Sequence, residues 1–158
     1  MIKVLFICHG NICRSAMAEF ILKDIVKREG VEEDFYIESA GSSVYDPGSP
    51  VYPAAKECLY IHGIRNSEIN QKVSRNIIKS DYDKFNYILV AEDDNINGVL
   101  RVVGKDIDNK IYKILDFSND KKLKGKDIAD PWYTRDFEKS YADIVEGCRG
   151  FLEYLKTL

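Results

Sequence analysis

Apolar residues follow two kinds of pattern along the chain. Short apolar runs rich in β-branched residues predict buried strands, and they cover residues 2–7, 35–39, 87–91 and 111–115. Between them, apolar positions recur at steps of three and four, which predicts amphipathic helices. These cover residues 16–29, roughly 54–62, a stretch after the third strand, and roughly 135–158. Strands separated by helices predict an α/β fold, a doubly wound, four-stranded parallel sheet flanked by helices.

The predicted strand ends place the functional site. In open parallel sheets, ligands bind beyond the carboxyl ends of the strands. Residues 8–15, CHGNICRS, follow the first strand, and the loops at 39–50, 91–95 and 116–134 follow the others. The chain has no linker or internal repeat, and its 158 residues are enough for a sizeable core. We therefore expect one domain over residues 1–158, with its site where these loops meet.

The stretch CHGNICRS has the features of a phosphate-binding loop. Five residues separate Cys8 from Arg14, and Ser15 follows. A loop of this length before a helix can turn its backbone N–H groups inward and bind an anion. Gly10 is expected to adopt a conformation forbidden to bulkier residues, and Asn11 to tolerate left-handed geometry and tie the loop together. Arg14 can grip two phosphate oxygens at once.

Within this loop Cys8 is the candidate nucleophile. A helix N-terminus, inward amides and Arg14 all favour its thiolate form, and the Ser15 hydroxyl would help in the same direction. A tight turn with small buried cysteines is the alternative, and the glycine, the asparagine and the Arg-Ser pair that opens a helix disfavour it. Zinc is disfavoured, because Cys8, His9 and Cys13 lack the paired spacing of a closed zinc site. A Walker phosphate loop is excluded, because no Gly-Lys-Ser/Thr is present.

The sequence DPWY, in the loop after the fourth strand, supplies a candidate acid. Asp130 could protonate a leaving group, although an N-cap before the final helix is an equally good interpretation. Pro131 stiffens the loop. Trp132 and Tyr133 could wall a pocket for an aromatic ring. Tyr45 and Asp46, in the loop after the second strand, are further candidates for its mouth, although a plain surface loop is an equally good interpretation.

Charge and composition limit the kinds of partner and the cellular location that we expect for the protein. The net charge is −3, from 23 basic and 26 acidic residues, and such a chain is not expected to bind nucleic acid. No apolar run approaches the ~20 residues of a membrane span, so we expect a cytoplasmic protein without membrane insertion. The four cysteines are expected to be buried, catalytic or redox-active thiols rather than a disulfide framework. No cofactor or metal is expected.

The chain resembles the low-molecular-weight protein tyrosine phosphatases. VLFICHGNICRS followed by MAEF resembles their active-site loop and first helix, and ESAG, HGI, FNYILV and DPWY follow in order. The resemblance implies a four-stranded parallel sheet and a two-step, metal-free mechanism through a phosphocysteine. Cys8 would be the nucleophile, Arg14 would bind phosphate, and Asp130 would act as acid and then base. The substrates would be phosphotyrosine-containing proteins or peptides, and inorganic phosphate the product.

The resemblance also implies supporting residues. Asn11 would hold the loop, Ser15 would support the thiolate, and Ser39 would belong to the hydrogen-bonded shell around Asn11. Cys13 matches a second cysteine that can form a reversible disulfide with Cys8. We expect a monomer, although the sequence itself does not address the oligomeric state.

The chain departs from the family pattern at three places. A His-x-Ala-Arg stretch appears as KVSR at residues 72–75, so a histidine near Asn11 is missing, and Lys72 would bring only donors. A Met-Asp pair appears as residues 91–92, Ala-Glu. His9 stands where an apolar or small residue is usual, and it either meets substrate or is a solvated loop residue.

Three other functions remain possible on this fold. An arsenate reductase would need a close pair of further redox cysteines, but Cys58 and Cys148 lie about ninety residues apart. A phosphoarginine phosphatase would carry threonine at Ile12 and lack the aromatic pair, so Ile12 and Trp132 favour a flat aromatic substrate. A non-catalytic phosphate-binding module would be expected to have lost one of the catalytic residues.

Overall fold

The computed structural model describes residues 1–158 and contains four strands and six helices. The strands are β1 (Ile2–Cys8), β2 (Phe35–Gly41), β3 (Tyr87–Val90) and β4 (Ile111–Lys113). The helices are α1 (Arg14–Arg28), α2 (Pro53–Ile61), α3 (Asp81–Lys84), α4 (Asp93–Val103), α5 (Pro131–Thr134) and α6 (Phe137–Lys156). Short 3-10 turns lie at Glu32–Asp34, Ser67–Asn70 and Ile114–Phe117. No helix combines the length and apolarity needed to cross a membrane.

The four strands form one parallel sheet in the order β2-β1-β3-β4. In its register, Cys8 at the end of β1 is opposite Gly41 at the end of β2, and Ile7 is opposite Val90 at the end of β3. The carboxyl ends of these strands therefore meet at one edge of the sheet. The predicted four-stranded parallel α/β fold is confirmed.

The central strand β1 is buried on both faces. Val4 and Phe6 belong to a large apolar cluster with residues of α1 and α6. Leu5 and Ile7 point to the opposite face and belong to a smaller cluster with Val99 of α4. All four strand side chains are fully buried. This explains why β1 is a continuous apolar run rather than an alternating one.

The fourth strand is shorter than the sequence predicts. Residues 111–115 were expected to be extended, but β4 ends at Lys113 and Ile114–Phe117 form a 3-10 turn. The Asp116 carboxylate accepts a hydrogen bond from the Lys113 backbone N–H at 2.8 Å. This contact caps the 3-10 turn and ends the strand at Lys113. Ile114 remains fully buried, so the apolar run reflects burial in a turn as well as in a strand.

The final helix begins later than predicted. Arg135 adopts a left-handed conformation with φ 59°, which separates the short helix α5 from α6. The side chain of Asp136 then accepts a hydrogen bond from the Lys139 backbone N–H at 3.0 Å and caps α6. Residues 135 and 136 are therefore a break between two helices, which periodicity alone did not show.

Candidate active site

The loop between β1 and α1 wraps around the sulfur of Cys8. The backbone N–H of Asn11 donates to Cys8 Sγ at 3.2 Å, and Ser15 Oγ lies 3.0 Å from the same sulfur. Asn11 Nδ2 donates to Ser15 Oγ at 2.8 Å and to Ser39 Oγ at 3.0 Å. All four residues are buried. The Cys8 sulfur therefore lies between a backbone amide and a hydroxyl at the base of the loop.

The left-handed conformation in this loop belongs to Asn11 and not to Gly10. Asn11 has φ 57°, as its residue type allows, whereas Gly10 does not adopt a positive φ of this kind. The expected conformational role of Gly10 is therefore wrong. No atom lies within 4 Å of the place where a Gly10 Cβ would stand. The glycine instead leaves the space beside Cys8 open.

The end of β2 approaches this loop closely at Gly41. A Cβ on Gly41 would stand 2.8 Å from the His9 carbonyl oxygen and 2.5 Å from Val44 Cγ2, so only glycine fits there. The next residue, Ser42, donates its backbone N–H to the carbonyl of Cys8 at 2.9 Å. The ESAG stretch thus supports the loop from the neighbouring strand.

Arg14 is held at the first turn of α1 by three oxygen acceptors. One terminal nitrogen donates to the Ile128 carbonyl at 2.8 Å, and the other lies 3.1 Å from Glu92 Oε1 and 3.4 Å from Asp130 Oδ2. Burial alone would lower the pKa of Arg14, but the charge of Cys8 and the carboxylates of Glu92 and Asp130 outweigh it. The net shift is upward, so this guanidinium remains charged in the buried site.

Asp130 combines the two interpretations that its sequence context left open. Its Oδ1 accepts a hydrogen bond from the Trp132 backbone N–H at 3.0 Å, which makes it the N-cap of α5 rather than of the final helix. Its Oδ2 faces Arg14. Pro131 occupies the first position of α5 and is buried. One carboxylate oxygen therefore fixes the acid loop while the other points into the site.

A cavity of about 430 Å³ opens above the loop. The predicted site residues that line it are Cys8, His9, Gly10, Ile12, Cys13, Arg14, Tyr45, Asp130, Trp132 and Tyr133. The other four predicted residues, Asn11, Ser15, Ser39 and Pro131, do not line it. Val44, Asp46 and Ser49 also line the cavity and complete one wall. The structure thus brings the ends of β1, the β2 loop and the DPWY loop to one cavity.

The aromatic walls of the cavity differ in how firmly they are held. The Trp132 ring packs edge-on against Tyr52, with centroids 5.0 Å apart, and Arg135 lies over it at 5.4 Å. Tyr45 is fully exposed, and Tyr133 is 82% exposed. Trp132 is therefore a fixed wall, while the two tyrosines stand in solvent at the rim.

The low molecular weight phosphotyrosine protein phosphatase family model matches residues 3–158. The chain belongs to this family. It is 35% identical over 152 residues to the low molecular weight protein-tyrosine-phosphatase YfkJ of Bacillus subtilis (strain 168), covering 96% of this chain and 94% of that one. The Homo sapiens low molecular weight phosphotyrosine protein phosphatase is 36% identical over 155 residues, covering 96% and 94%.

Solved structures agree with this assignment. The crystal structure of YfkJ from Bacillus subtilis superposes with a TM-score of 0.91 at 34% identity, covering 99% of this chain and 96% of that one. The family resemblance predicted from the sequence is confirmed, and with it the prediction of a phosphatase-family enzyme.

In this phosphatase, Lys72 and Glu19 stand behind the loop where the family histidine is missing. Ser39 Oγ donates to Glu19 Oε1 at 2.6 Å, and Lys72 Nζ donates to the Ser39 carbonyl at 2.7 Å while lying 3.5 Å from Glu19 Oε1. Burial lowers the pKa of Lys72, although Glu19 opposes that shift. The acceptor Asn11 Oδ1 is used by the Arg75 backbone N–H at 3.2 Å.

Two functional contacts were missed by sequence reasoning. Glu19 sits in the MAEF stretch, and nothing in the sequence indicated that its carboxylate reaches Ser39. Glu92 was noted only as a departure from the family, yet it is an ion-pair partner of Arg14. Its position at the carboxyl end of β3 was the one available signal.

The second cysteine of the phosphatase loop differs from the first. Cys13 is buried and lines the same cavity as Cys8. Burial raises the pKa of the Cys13 thiol to about 12, and the charges of Cys8 and Asp130 act in the same direction. Cys13 is therefore a protonated thiol at neutral pH.

Proposed function

We propose that this chain hydrolyses phosphotyrosine in proteins or peptides through a phosphocysteine intermediate, with no metal in the reaction and with residues 1–158 acting as one catalytic domain. The observation that carries the proposal is one open cavity at the carboxyl edge of the sheet. It contains Cys8, whose sulfur accepts a backbone N–H, together with Arg14 and Asp130. Nucleophile, anion receptor and acid are the three parts that such a reaction requires.

In the first step, the phosphoryl group occupies the cavity beside Cys8. The Cys8 thiolate attacks phosphorus while the bond from phosphorus to the phenol oxygen breaks. Asp130, protonated at this stage, gives its proton to the departing phenolate. Arg14 and the loop amides stabilise the charge on the three non-bridging oxygens as it develops.

In the second step, water replaces the phenol. Asp130, now a carboxylate, removes a proton from the water as the water oxygen attacks phosphorus. The bond between phosphorus and Cys8 breaks, and inorganic phosphate leaves with the thiolate restored. Arg14 keeps its hold on the phosphate oxygens throughout, because its bond to the Ile128 carbonyl fixes the guanidinium independently of the substrate.

The walls of the cavity support an aromatic substrate. Ile12 and Trp132 line the cavity, and Trp132 is held in place by Tyr52. A flat ring entering the cavity would bury apolar surface against both side chains. His9 also lines the cavity, so we assign it to substrate contact rather than to a solvated loop.

Hydrolysis of matched substrates in EDTA tests the proposal. Wild-type protein should release phosphate from a phosphotyrosine peptide and from an aryl phosphate, but not from phosphoserine peptide. Cys8→Ser should lose at least about a thousandfold because a hydroxyl is a far weaker nucleophile at neutral pH. Equal rates for wild type and Cys8→Ser would overturn the mechanism.

The same assay separates the competing functions. Preferential release of phosphate from phosphoarginine would replace the proposed substrate class. Consumption of arsenate with a thiol reductant, with no aryl phosphate hydrolysis, would favour a reductase.

We also propose that Cys13 protects the nucleophile against oxidation. Hydrogen peroxide would oxidise the Cys8 thiolate to a sulfenic acid, and the Cys13 thiol would condense with it, forming a disulfide and releasing water. A thiol reductant would reopen the bond. Peroxide-treated wild type should recover with dithiothreitol, whereas Cys13→Ser should recover slowly or incompletely. Equal recovery would remove Cys13 from this role.

A further inference from the structure

A second group of ligand-type side chains lies outside the phosphatase cavity, where the end of α2 meets the start of α6. Cys58 and His62 are four residues apart at the end of α2, and Glu138 is in the first turn of α6. Cys58 Sγ lies 3.8 Å from Glu138 Oε1, and His62 Nε2 lies 2.6 Å from Glu138 Oε2. The ligand atoms of all three lie within 4.8 Å of one another.

We propose that Cys58, His62 and Glu138 form a binding site for one Zn²⁺ ion, with the fourth position open to water. Thiolate, imidazole and carboxylate are the three ligand types that zinc takes from proteins. None of these residues lines the catalytic cavity, so the site is separate from the proposed phosphatase reaction. Its role would be to clamp α6 to α2.

Zinc binding requires small adjustments of the three ligand atoms, which all lie within 4.8 Å of one another. Zinc bonds of about 2.0–2.3 Å in a tetrahedron place ligand atoms roughly 3.3–3.7 Å apart. The separation of 3.8 Å between Cys58 Sγ and Glu138 Oε1 is already close to this value. The 2.6 Å hydrogen bond between His62 and Glu138 must open by under ~1 Å. The Glu138 side chain is 59% exposed and free to make this adjustment.

The surroundings orient two of the ligands. The His62 ring stacks on Tyr141 with centroids 3.7 Å apart and planes 10° from parallel, which fixes its orientation. Positions four apart on a helix lie on one face, so Cys58 and His62 project together toward α6. The Cys58 thiol contacts the Phe137 carbonyl at 3.7 Å, the residue directly before Glu138. The α6 backbone therefore already lies against the sulfur.

Zinc binding at this site must release a proton. Burial, followed by the charge of Glu138, raises the pKa of Cys58 to about 12, so the thiol is protonated at neutral pH. Zinc would replace that proton, forming the Zn–S bond and releasing one H⁺ to solvent. Glu138 contacts both Cys58 and His62, and the Tyr141 ring stacks on His62. Affinity should therefore rise with pH by up to about tenfold per unit.

Titration with Co²⁺ and Zn²⁺ tests the site directly. The Cys8→Ser/Cys13→Ser protein is used, so that the catalytic thiols bind no metal. One equivalent of Co²⁺ should produce thiolate-to-cobalt absorption in the near ultraviolet together with tetrahedral visible bands, and Zn²⁺ should displace it. Cys58→Ser should abolish the near-ultraviolet absorption, and His62→Gln should weaken binding at least tenfold. His9→Gln, at the only other histidine, and Glu146→Gln on α6 are the matched controls.

Thermal unfolding gives a second readout. Zn²⁺ at about a hundredfold above Kd should raise Tm by about 5–10 °C. The shift should disappear in the surface variants His62→Gln and Glu138→Gln, which keep the test valid if Cys58→Ser folds poorly. Near-ultraviolet absorption that survives Cys58→Ser, or equal Tm shifts in all variants, would overturn the proposal. Absence of phosphatase activity in the wild-type protein, together with an intact cobalt spectrum in the Cys8→Ser/Cys13→Ser protein, would contradict only the proposed function.

Discussion

The floor and the mouth of the catalytic cavity are built in opposite ways. At the floor, Cys8, Asn11 and Arg14 are at most 3% exposed, and each makes hydrogen bonds to other buried groups. At the mouth, Tyr45 and Tyr133 stand in solvent with no hydrogen bond holding their rings. A floor held from all sides can keep groups in a reactive geometry. A mouth with free rings can adapt to the molecule that enters.

This difference indicates that the floor carries out the chemistry and that other parts of the cavity select the substrate. The chemistry of the floor, a cysteine below an arginine, would serve any phosphoryl group. The choice of phosphotyrosine must then come from the walls, where Ile12 and Trp132 lie. Substitutions at the floor should affect all substrates alike, and substitutions at these walls should discriminate between them.

The largest effect is expected for Arg14→Lys. An ammonium cannot hold two phosphate oxygens in parallel, so we expect kcat/KM to fall about a thousandfold. The fall should be equal for phosphotyrosine peptide and small aryl phosphates, measured by phosphate release. Arg149→Lys, an exposed change on α6, is the control. A loss of kcat/KM confined to one substrate would show that Arg14 also contributes to substrate selection.

Asp130→Asn should have the next largest effect. Asparagine still caps α5 by accepting the Trp132 N–H, so the change removes the proton and preserves the loop. We expect about a hundredfold loss with a phenol of high pKa and only a few-fold loss with a nitrophenol, because the better leaving group needs no proton. A uniform loss across leaving groups would mean that Asp130 is structural.

Trp132→Ala tests whether the wall of the cavity selects the substrate. Removing the fixed wall should lower kcat/KM for phosphotyrosine peptide about tenfold, the cost of losing one aromatic contact. A small alkyl phosphate should be hydrolysed as before. Tyr133→Ala, at a freely exposed ring, should change either rate by no more than about twofold. Equal losses of kcat/KM on both substrates would contradict the assignment of substrate selection to the wall rather than to the floor.

The smallest effect on activity is expected for Lys72→Met, which acts behind the floor. The free energy of unfolding should fall by about 1–3 kcal/mol, because the buried Glu19 loses a partner, while activity changes only a few-fold. Urea unfolding of the variant and of Lys79→Met, an exposed control, measures the difference. An unchanged free energy of unfolding would show that the ion pair with Lys23 is enough to stabilise the buried Glu19 carboxylate.

The difference in the free energy of unfolding between wild type and Lys72→Met should depend on pH, with a sign that follows from the pKa of Lys72. Burial lowers the pKa of Lys72 in the folded protein, so below about pH 10.4 the unfolded chain binds this proton more tightly. Stability contributed by Lys72 therefore rises with pH toward that value. The gap in the free energy of unfolding between wild type and Lys72→Met should therefore widen as the pH rises toward about 10.4.

Local patterns were enough for much of the fold and for the candidate catalytic set. The apolar run of β1 and the five-residue spacing of Cys8 and Arg14 are short-range features, readable within a dozen residues. Errors arose where a single contact overrode the pattern. Asp116 turned the predicted fourth strand into a 3-10 turn, and left-handed Arg135 divided the final helix. Gly10 was credited with a conformation that its neighbour Asn11 adopts.

The sequence by itself determined the order of strands and helices, the loop that follows β1, and the family. Each depends on residue types close together in the chain. Only the tertiary structure decided that Glu19 and Lys72 stand behind Ser39, that Glu92 holds Arg14, and that Glu138 meets Cys58 and His62. Those pairs lie from 20 to 80 residues apart. Their approach follows from how helices pack on the sheet, and no local pattern encodes it.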